Sequence, residues 1–247
     1  MVLLLFELLR PNRERIARAD LPRLLLLGFL VVPVNQGFFL FGLTRSTPSH
    51  ASLLYALTPI VVFLLARRYL REGNATGKLL GIAAAFLGVA LILLDRGLAR
   101  EAAVLGGDLL MIVAVVSWAV YTILSRDLLQ RYDPMTVTGW VIIAGTAMCL
   151  PALLVPGAIP PLRSVSVPVW GGIAYLAVGT SVIAYPLWLY ALRKLEASKV
   201  AITTNLQPVL TSALSGLLFH ERFGPLFFAG AALILGGVSW VETRKAR

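Results

Sequence analysis

The chain has 247 residues, of which 58% are hydrophobic and only 14% are charged. A soluble domain usually carries about 25% charged residues, and no single soluble core could bury this much apolar sequence. The composition therefore excludes an ordinary soluble domain, and the single cysteine, Cys149, excludes an intramolecular disulfide or a multi-thiolate metal site.

In chain order, the apolar residues form repeated runs of about 20, the length that crosses a hydrocarbon layer of roughly 30 Å. Backbone amides in lipid must be satisfied within their own segment, so each run predicts a helix. A short apolar fragment, residues 1–9, comes first. The predicted full spans that follow are 22–43, 51–70, 77–94, 105–125, 136–156, 168–192, 198–219 and 225–242. We therefore predict an all-α, polytopic membrane helix bundle of eight full helices and a fragment.

The 22 basic residues lie in or beside the connections between these spans, and most of them fall on one predicted side of the membrane. That side includes the C-terminus. The basic residues on the other side are Arg45, Arg96, Arg100, Arg163 and Arg222. The positive-inside rule then predicts a multi-pass protein of the plasma (inner) membrane with a cytoplasmic C-terminus. Because topology accounts for the basic excess, we expect the lipid bilayer as a partner and no nucleic acid.

An internal repeat becomes visible when the chain is shifted by 149 residues without a gap. The pairs that coincide include Pro59 with Pro208, Glu72 with Glu221, Gly81 with Gly230, and Gly88 with Gly237. Pro59 lies on a span predicted to run inward and Pro208 on one predicted to run outward, so the two copies are inverted. Inverted repeats around a central site are an architecture of secondary transporters.

The repeat divides the chain into a first copy, residues 1–104, and an inverted second copy, residues 105–247. Two equal copies would each hold five helices, so a complete version would have ten. Relative to that version, we expect the first copy to lack one helix and most of a second. An artificial truncation of a longer chain, a misassigned start codon and a naturally shortened paralogue would each account for the difference.

Motifs along both copies carry a family resemblance. They are Gln36–Leu43 and Ser46–Pro59 in the first copy, and Gly107-Asp108, Ser117–Tyr121 and Gly179–Trp188 in the second. With the repeat-matched proline, glutamate and glycines, this pattern resembles the EamA-like family of the drug/metabolite transporter superfamily. The resemblance implies a ten-helix fold and transport, often export, of amino acids or related metabolites.

Polar and aromatic side chains within the spans are candidates for a solute pocket between the repeats, because polar groups are costly in hydrocarbon and often functional. The repeat shift places Gln36 at the position of Tyr185. The candidate substrate-binding residues are Gln36, Tyr55, Thr58, Trp118, Tyr121, Tyr185, Trp188, Thr204, Asn205 and Gln207. Such a set suits a small uncharged or zwitterionic solute. The alternative is that these side chains bridge helices, which is the favoured interpretation for single serines and threonines.

Pro59 and Pro208 lie near the middle of their predicted spans, where each would remove a backbone hydrogen bond and bend its helix. We therefore predict two hinges, with a fixed packing kink as the alternative. The repeat-matched glycines predict close helix packing. Glu72 and Glu221 end their helices at the membrane surface, where we expect them to cap the next helix or to pair with basic groups.

The resulting hypothesis is a secondary transporter that exports small metabolites by alternating access and does not use ATP, since no Walker motif occurs. No carboxylate lies deep in a full span, which favours facilitated or exchange transport over proton coupling. A non-transporting, degenerate paralogue or receptor is one alternative. An intramembrane enzyme is another, although the converging acidic, His or Cys residues that it needs are not evident. We expect no catalytic residue, metal or cofactor. The sequence does not decide whether the chain forms a homodimer.

Overall fold

The computed structural model describes residues 16–46, 51, 54–72, 75–95, 105–155, 165–207, 209–210 and 224–243. Within them, helix α1 comprises the 3₁₀ turn Arg18–Asp20, the α-helix Leu21–Phe29, the π-helical segment Leu30–Gln36 and the α-helix Gly37–Leu43. Helix α2 comprises Thr58–Leu65 and the π-helical segment Ala66–Leu70; α3 is Ala75–Asp95 and α4 is Leu105–Leu129. Helix α5 comprises Pro134–Cys149 and the 3₁₀ segment Leu150–Leu154.

The second half of the chain continues with three further helices. Helix α6 comprises Val167–Tyr175, the π-helical segment Leu176–Ala184 and Tyr185–Lys194. Helix α7 comprises the α-helix Ala197–Ile202 and the 3₁₀ segment Thr203–Leu206, and α8 is Pro225–Thr243.

Four of the described helical runs are long and apolar enough to cross a membrane: Arg18–Leu43, Gly106–Leu129, Pro134–Ala152 and Val167–Lys194. Two further apolar helices, Thr76–Ile92 and Pro225–Val241, are shorter. These runs confirm the predicted all-helical membrane bundle. The fragment 1–9 lies outside the described residues, as do parts of the predicted spans 51–70 and 198–219.

The chain divides into two compact units, and each unit draws on both sequence repeats. Unit 1 contains the described residues up to Gln36 and those of 124–194, and unit 2 contains those of 37–123 and those from Leu195 onward. The repeats are a division of the sequence, whereas each compact unit combines helices from both copies. The repeat boundary after residue 104 therefore stays a prediction.

Unit 1 is built on α1 and α5, whose backbones touch at two glycines. A Cβ atom on Gly28 would come within 2.8 Å of the Gly145 nitrogen, and one on Gly145 within 2.5 Å of the Gly28 carbonyl oxygen. At one end of this pair, the buried Asp20 carboxylate accepts hydrogen bonds from Arg131 at 2.8 and 3.0 Å and from the Tyr132 hydroxyl at 2.9 Å. Close backbone contact and a fully engaged carboxylate thus join these two helices.

Unit 2 is organised around α3 and α8, whose glycines face one another in antiparallel order. A Cβ atom on Gly81 would lie 2.8 Å from the Gly237 carbonyl oxygen, and one on Gly230 would lie 2.5 Å from the Gly88 carbonyl oxygen. These are the glycines that the 149-residue shift superposes, so each contact has a repeat-related counterpart, as a local twofold axis requires. The structure confirms both the predicted close packing and the inverted relation of these two helices.

Regular α-helix is interrupted at repeat-matched places in both units. In unit 1, the π-helical segments Leu30–Gln36 and Leu176–Ala184 overlap when they are shifted by 149 residues. In unit 2, Ala56 and Leu57 form a turn before α2, and their repeat counterparts Asn205 and Leu206 lie in the 3₁₀ segment of α7. Interrupted helices at matching positions of two repeats are typical of transporter binding sites.

Pro59 does not lie where its sequence position predicted. It occupies the first turn of α2, directly after the Ala56-Leu57 turn, rather than the middle of a continuous helix. A proline fits a first turn because the N–H that it lacks would have no intrahelical acceptor there. The mid-helix position was therefore wrong, and a hinge at Pro59 stays a prediction. Pro208 lies outside the described residues.

Candidate functional site

The interrupted helices of unit 2 hold two buried polar side chains without hydrogen bonds. Asn205, in the 3₁₀ segment of α7, and Thr58, at the start of α2, are each only 1% exposed. Within the described part of the chain, neither amide atom of Asn205 nor the Thr58 hydroxyl has a hydrogen-bond partner. The two helices pack against each other. Because a buried polar group without a partner costs about 1–3 kcal/mol, these groups need water or a ligand to satisfy them.

Aromatic side chains of the same unit were also predicted to line a pocket. Tyr55 packs edge-on against Phe39, with ring centroids 5.3 Å apart. Trp118 and Tyr121 lie one turn apart on α4, with ring centroids 5.2 Å apart and planes tilted by 35°. Tyr121 is fully buried and Trp118 is half-buried. Rings of this kind can provide apolar walls that carry polar tips.

The other two predicted residues of α7 differ from Asn205. The Thr204 hydroxyl donates to the carbonyl oxygen of Ala201 at 2.8 Å, so its donor is already hydrogen-bonded within α7. Gln207 is exposed. Asn205 is therefore the polar side chain of this segment that is both buried and unsatisfied among the described residues.

Gln36 and Tyr185 meet directly in unit 1. Gln36 Nε2 donates a hydrogen bond to the Tyr185 hydroxyl at 3.0 Å, across a sequence separation of 149 residues. Since that separation is the repeat shift, the bond lies at the local twofold axis that relates the two π-helical segments. Trp188, one turn beyond Tyr185, is half-buried. The two polar groups satisfy each other here, which is how polar side chains join membrane helices.

A charged cluster is buried in unit 2. Lys78 is fully buried, with its Nζ 3.3 Å from a Glu72 oxygen and 3.0 Å from a Glu196 oxygen. Glu72 also accepts a hydrogen bond from the Ala197 backbone nitrogen at 2.7 Å and another from the Ser198 hydroxyl. The prediction that Glu72 pairs with a basic group and caps a helix is confirmed, but the capped helix is α7, from the other copy, rather than the next helix.

The sequence did not predict that Lys78 and Glu196 are part of a buried charged cluster, because charged residues in short connections usually face water. The signal that could have identified them is Glu72 itself, which the repeat shift matches to Glu221. Glu221 lies outside the described residues. Among the residues that are described, no three His, Cys, Asp or Glu side chains are grouped as ligands for a metal ion.

The predicted site residues therefore fall into two sets. Gln36, Tyr185 and Trp188 belong to unit 1, and the remaining seven belong to unit 2: Tyr55, Thr58, Trp118, Tyr121, Thr204, Asn205 and Gln207. Most of these residues lie in or next to helices that are interrupted at repeat-matched positions, whereas Trp118 and Tyr121 lie on the continuous helix α4. Between them, the two sets present amide, hydroxyl and aromatic groups, which can form hydrogen bonds and aromatic contacts.

Known proteins resemble this chain along nearly its whole length. The EamA-like transporter family model matches residues 1–94 and 105–243. The uncharacterized transporter YyaM of Bacillus subtilis is 29% identical over 77% of this chain and 63% of its own, so the chain spans less than two thirds of that relative. An uncharacterized transporter of Archaeoglobus fulgidus is 31% identical over 94% of this chain and 81% of its own. A probable terminal-alkyne amino-acid exporter of Streptantibioticus cattleyicolor is 28% identical over 91% of this chain and 74% of its own.

A protein crystal structure shares the fold, with a TM-score of 0.82 over 98% of this chain and 84% of its own, at 20% sequence identity. At that identity the likeness establishes the fold alone, and the sequence matches establish the family. The family consists of transporters rather than enzymes. The chain is a multi-pass membrane protein that belongs to the EamA-like transporter family.

Proposed function

We propose that this chain is a secondary transporter that exports amino acids or related neutral or zwitterionic metabolites by alternating access. The observation that carries this proposal is the Asn205 side chain, which is 1% exposed and makes no hydrogen bond within the described residues. It lies on a helix that loses α-helical geometry at that point, beside the repeat-related break before α2. A solute that arrives between helices would supply the missing partners.

The chemistry of these groups favours a solute with both donors and acceptors. A carboxamide offers two N–H donors and an acceptor oxygen, and a threonine hydroxyl offers one donor and an acceptor. Asn205 and Thr58 can therefore engage a carboxylate and an ammonium, or an uncharged amide, without placing a fixed charge in the membrane. Tyr55, Trp118 and Tyr121 would line the apolar part of such a solute.

The remaining predicted residues have supporting roles in this proposal. Gln36 and Tyr185 hold the two π-helical segments of unit 1 together, and Trp188 lies one turn beyond Tyr185. Thr204 on α7 and Gln207 directly after it flank Asn205 without bonding the solute themselves, and Pro59 and Pro208 act as the hinges. The name of the Streptantibioticus cattleyicolor relative, a probable amino-acid exporter, supports the solute class. The placement in a plasma membrane with a cytoplasmic C-terminus rests on the positive-inside rule.

The test is solute flux through the purified protein in proteoliposomes. Vesicles are loaded with one radiolabelled solute at a time, from a panel of amino acids and nucleosides, and compared with empty vesicles. We expect saturable flux for at least one neutral amino acid, competed by its unlabelled form. Flux that is saturable for nucleosides alone would contradict the solute class. Absence of saturable flux across the panel, from monodisperse protein, would favour the non-transporting alternative.

A further inference from the structure

The buried charges of unit 2 converge on the beginning of α7, the helix that carries Asn205. The first backbone N–H groups of an α-helix have no acceptor within the helix and need one from elsewhere. The residue before α7, Glu196, does not cap them with its own side chain. Glu72 does so instead from more than a hundred residues away, with one oxygen 2.7 Å from the Ala197 nitrogen and the other 3.4 Å from the Ser198 nitrogen.

The backbone is shaped to deliver Glu72 to that place. The preceding residue, Arg71, has a left-handed conformation with φ of 54°, which is uncommon for a residue other than glycine. This residue ends the π-helical segment of α2 and redirects the chain. Glu72 then lies 5% exposed, although it is in a connection of only a few residues between α2 and α3.

Lys78 provides the cation that faces the Glu72 carboxylate in this buried position. Its side chain is only 1% exposed and its ammonium lies between the carboxylates of Glu72 and Glu196. A buried carboxylate without a cation would be strongly disfavoured. The repeat shift places Phe227 at the position of Lys78, and Phe227 is buried in the apolar core of unit 2. Lys78, the cation of the cluster, is therefore matched by an apolar residue at the repeat-related position of the second copy.

The distance from this cluster to the candidate solute group is short. The α-helical part of α7 has six residues, which is about 9 Å, and the 3₁₀ segment with Asn205 follows at once. A 3₁₀ stretch inside a helix often marks a hinge. The position of Ala197 and Ser198 therefore sets the position of Asn205, and Asn205 is too buried for a solute to reach unless α7 or a neighbour moves.

We propose, on the basis of the proposed transport function, that Glu72 and Lys78 form a latch on the N-terminal end of α7. In the closed state, the Glu72 carboxylate holds Ala197 and Ser198. Release of these groups lets α7 swing about its 3₁₀ segment and opens a path to Asn205. Hydrogen bonds and ion pairs suit this role because water can replace them when the contact opens, whereas buried apolar packing has no such substitute. Glu72 is a positioning residue in this scheme and does not itself contact the solute.

The latch is tested by cysteine accessibility, which does not require a known solute. In a Cys149→Ala background, Ala201→Cys places a single reporter on the buried face of α7, since Ala201 is 0% exposed. A membrane-impermeant maleimide then labels the reporter in cells and in inside-out vesicles. Glu72→Gln keeps an acceptor oxygen but removes the charge that Lys78 holds. We expect labelling from one membrane face to become about tenfold faster, because loss of a charge-assisted contact shifts the closed–open equilibrium.

Two further variants complete the test. Ser198→Ala removes one donor to Glu72 and should give a smaller acceleration, of about threefold. Asp127→Asn is the matched control, because it also converts an ion-paired carboxylate to an amide, but its pair with Arg23 is exposed on both sides. The control should label at the background rate. Folding is checked for each by a monodisperse size-exclusion profile, and Ser198→Ala keeps the test decisive if Glu72→Gln does not fold.

The outcomes separate the latch from the transport function. Labelling of the Ser198→Ala and Glu72→Gln variants within twofold of the background would overturn the latch, whether or not any solute moves. Equal acceleration in Asp127→Asn would overturn it as well. In the flux assay of the proposed function, a latch predicts that Glu72→Gln changes the maximal rate at least threefold with KM within twofold, whereas a purely structural cap leaves both unchanged per folded molecule. Faster labelling with no flux in the parent protein would count against the proposed function alone.

Discussion

The Gln36–Tyr185 pair of unit 1 and the Thr58 and Asn205 side chains of unit 2 differ in a way that residue type does not reveal. All four are polar, and all lie at or beside interrupted helices. Gln36 and Tyr185 satisfy each other at 3.0 Å, whereas Thr58 and Asn205 have no hydrogen bond within the described residues. A polar residue in a membrane helix can join helices or bind a solute. Under the proposed function, the pair that is already hydrogen-bonded joins helices, and the two groups without hydrogen bonds are the ones that bind the solute.

The largest effect is expected from Asn205→Leu. Losing two hydrogen bonds to a polar solute should lower the ratio of maximal flux to KM at least about 100-fold, since each bond to a charged group contributes about 1.5–3 kcal/mol. Stability should stay equal or rise, because an apolar group of similar volume replaces an unsatisfied amide. Flux and thermal stability are measured on the same preparation. Gln207→Leu, an exposed amide on the same segment, is the control, and equal losses in the two variants would contradict the assignment.

The next largest effect concerns the scaffold of unit 2 and should show the opposite pattern. In Gly230→Ala, the new Cβ would lie 2.5 Å from the Gly88 carbonyl oxygen, so α3 and α8 must separate. Overpacking of this kind costs about 1–3 kcal/mol, which should lower the apparent Tm by several degrees. Gly236→Ala is the control because no atom lies within 4 Å of its added Cβ. If Gly230→Ala matches that control in Tm, the close antiparallel contact is not present in the membrane.

The structural features behind the Asn205 and Gly230 predictions differ in how well they could be predicted from the sequence alone. The glycine contact was predictable, because the 149-residue shift superposes Gly81 on Gly230 and Gly88 on Gly237, and an inverted pair of helices brings matched small residues together. Long apolar runs likewise predicted helices. The repeat is visible as matching residue types along the chain, and the helices follow from the length of each apolar run in lipid. Neither prediction requires knowledge of which distant side chains meet.

The polar contacts were less predictable because they depend on partners that are distant in sequence. Lys78 reads as a solvated residue of a basic connection until Glu196 is seen to lie 3.0 Å from it. The repeat shift superposed Gln36 on Tyr185, but superposition does not imply contact, and only a local axis at their position brings them to 3.0 Å. Pro59 was placed mid-helix because hydropathy does not detect the turn at Ala56-Leu57.

A double-mutant cycle on Gln36 and Tyr185 of unit 1 tests whether this pair stabilises the helices or contacts the solute. Gln36→Leu removes the donor that hydrogen-bonds to the buried Tyr185 hydroxyl, so it should cost about 1–3 kcal/mol, and Tyr185→Phe should cost about 1 kcal/mol. The double variant should recover part of the loss, with a coupling energy of about 1 kcal/mol. Unfolding in sodium dodecyl sulfate measures the stabilities. Flux in the double variant should stay within about threefold of the parent, and a 100-fold loss would instead make the pair a solute contact.

The smallest effect is expected from Thr58→Val, and it discriminates between two threonines of unit 2. Valine has nearly the same shape, so the change removes one hydroxyl that has no hydrogen bond within the described residues. One neutral hydrogen bond contributes about 0.5–1.5 kcal/mol, so the ratio of maximal flux to KM should fall about fivefold, while Tm stays constant or rises.

Thr204→Val is the matched comparison, because the Thr204 hydroxyl already donates to the Ala201 carbonyl oxygen at 2.8 Å. Its loss should leave flux within about twofold and Tm nearly unchanged, since that carbonyl also lies within the helical backbone and the hydroxyl bond is supplementary. Both substitutions delete the same atom from the same residue type in one unit. A difference in flux between them therefore isolates the availability of the hydroxyl, and equal effects would mean that an unsatisfied buried group in this protein does not identify a solute contact.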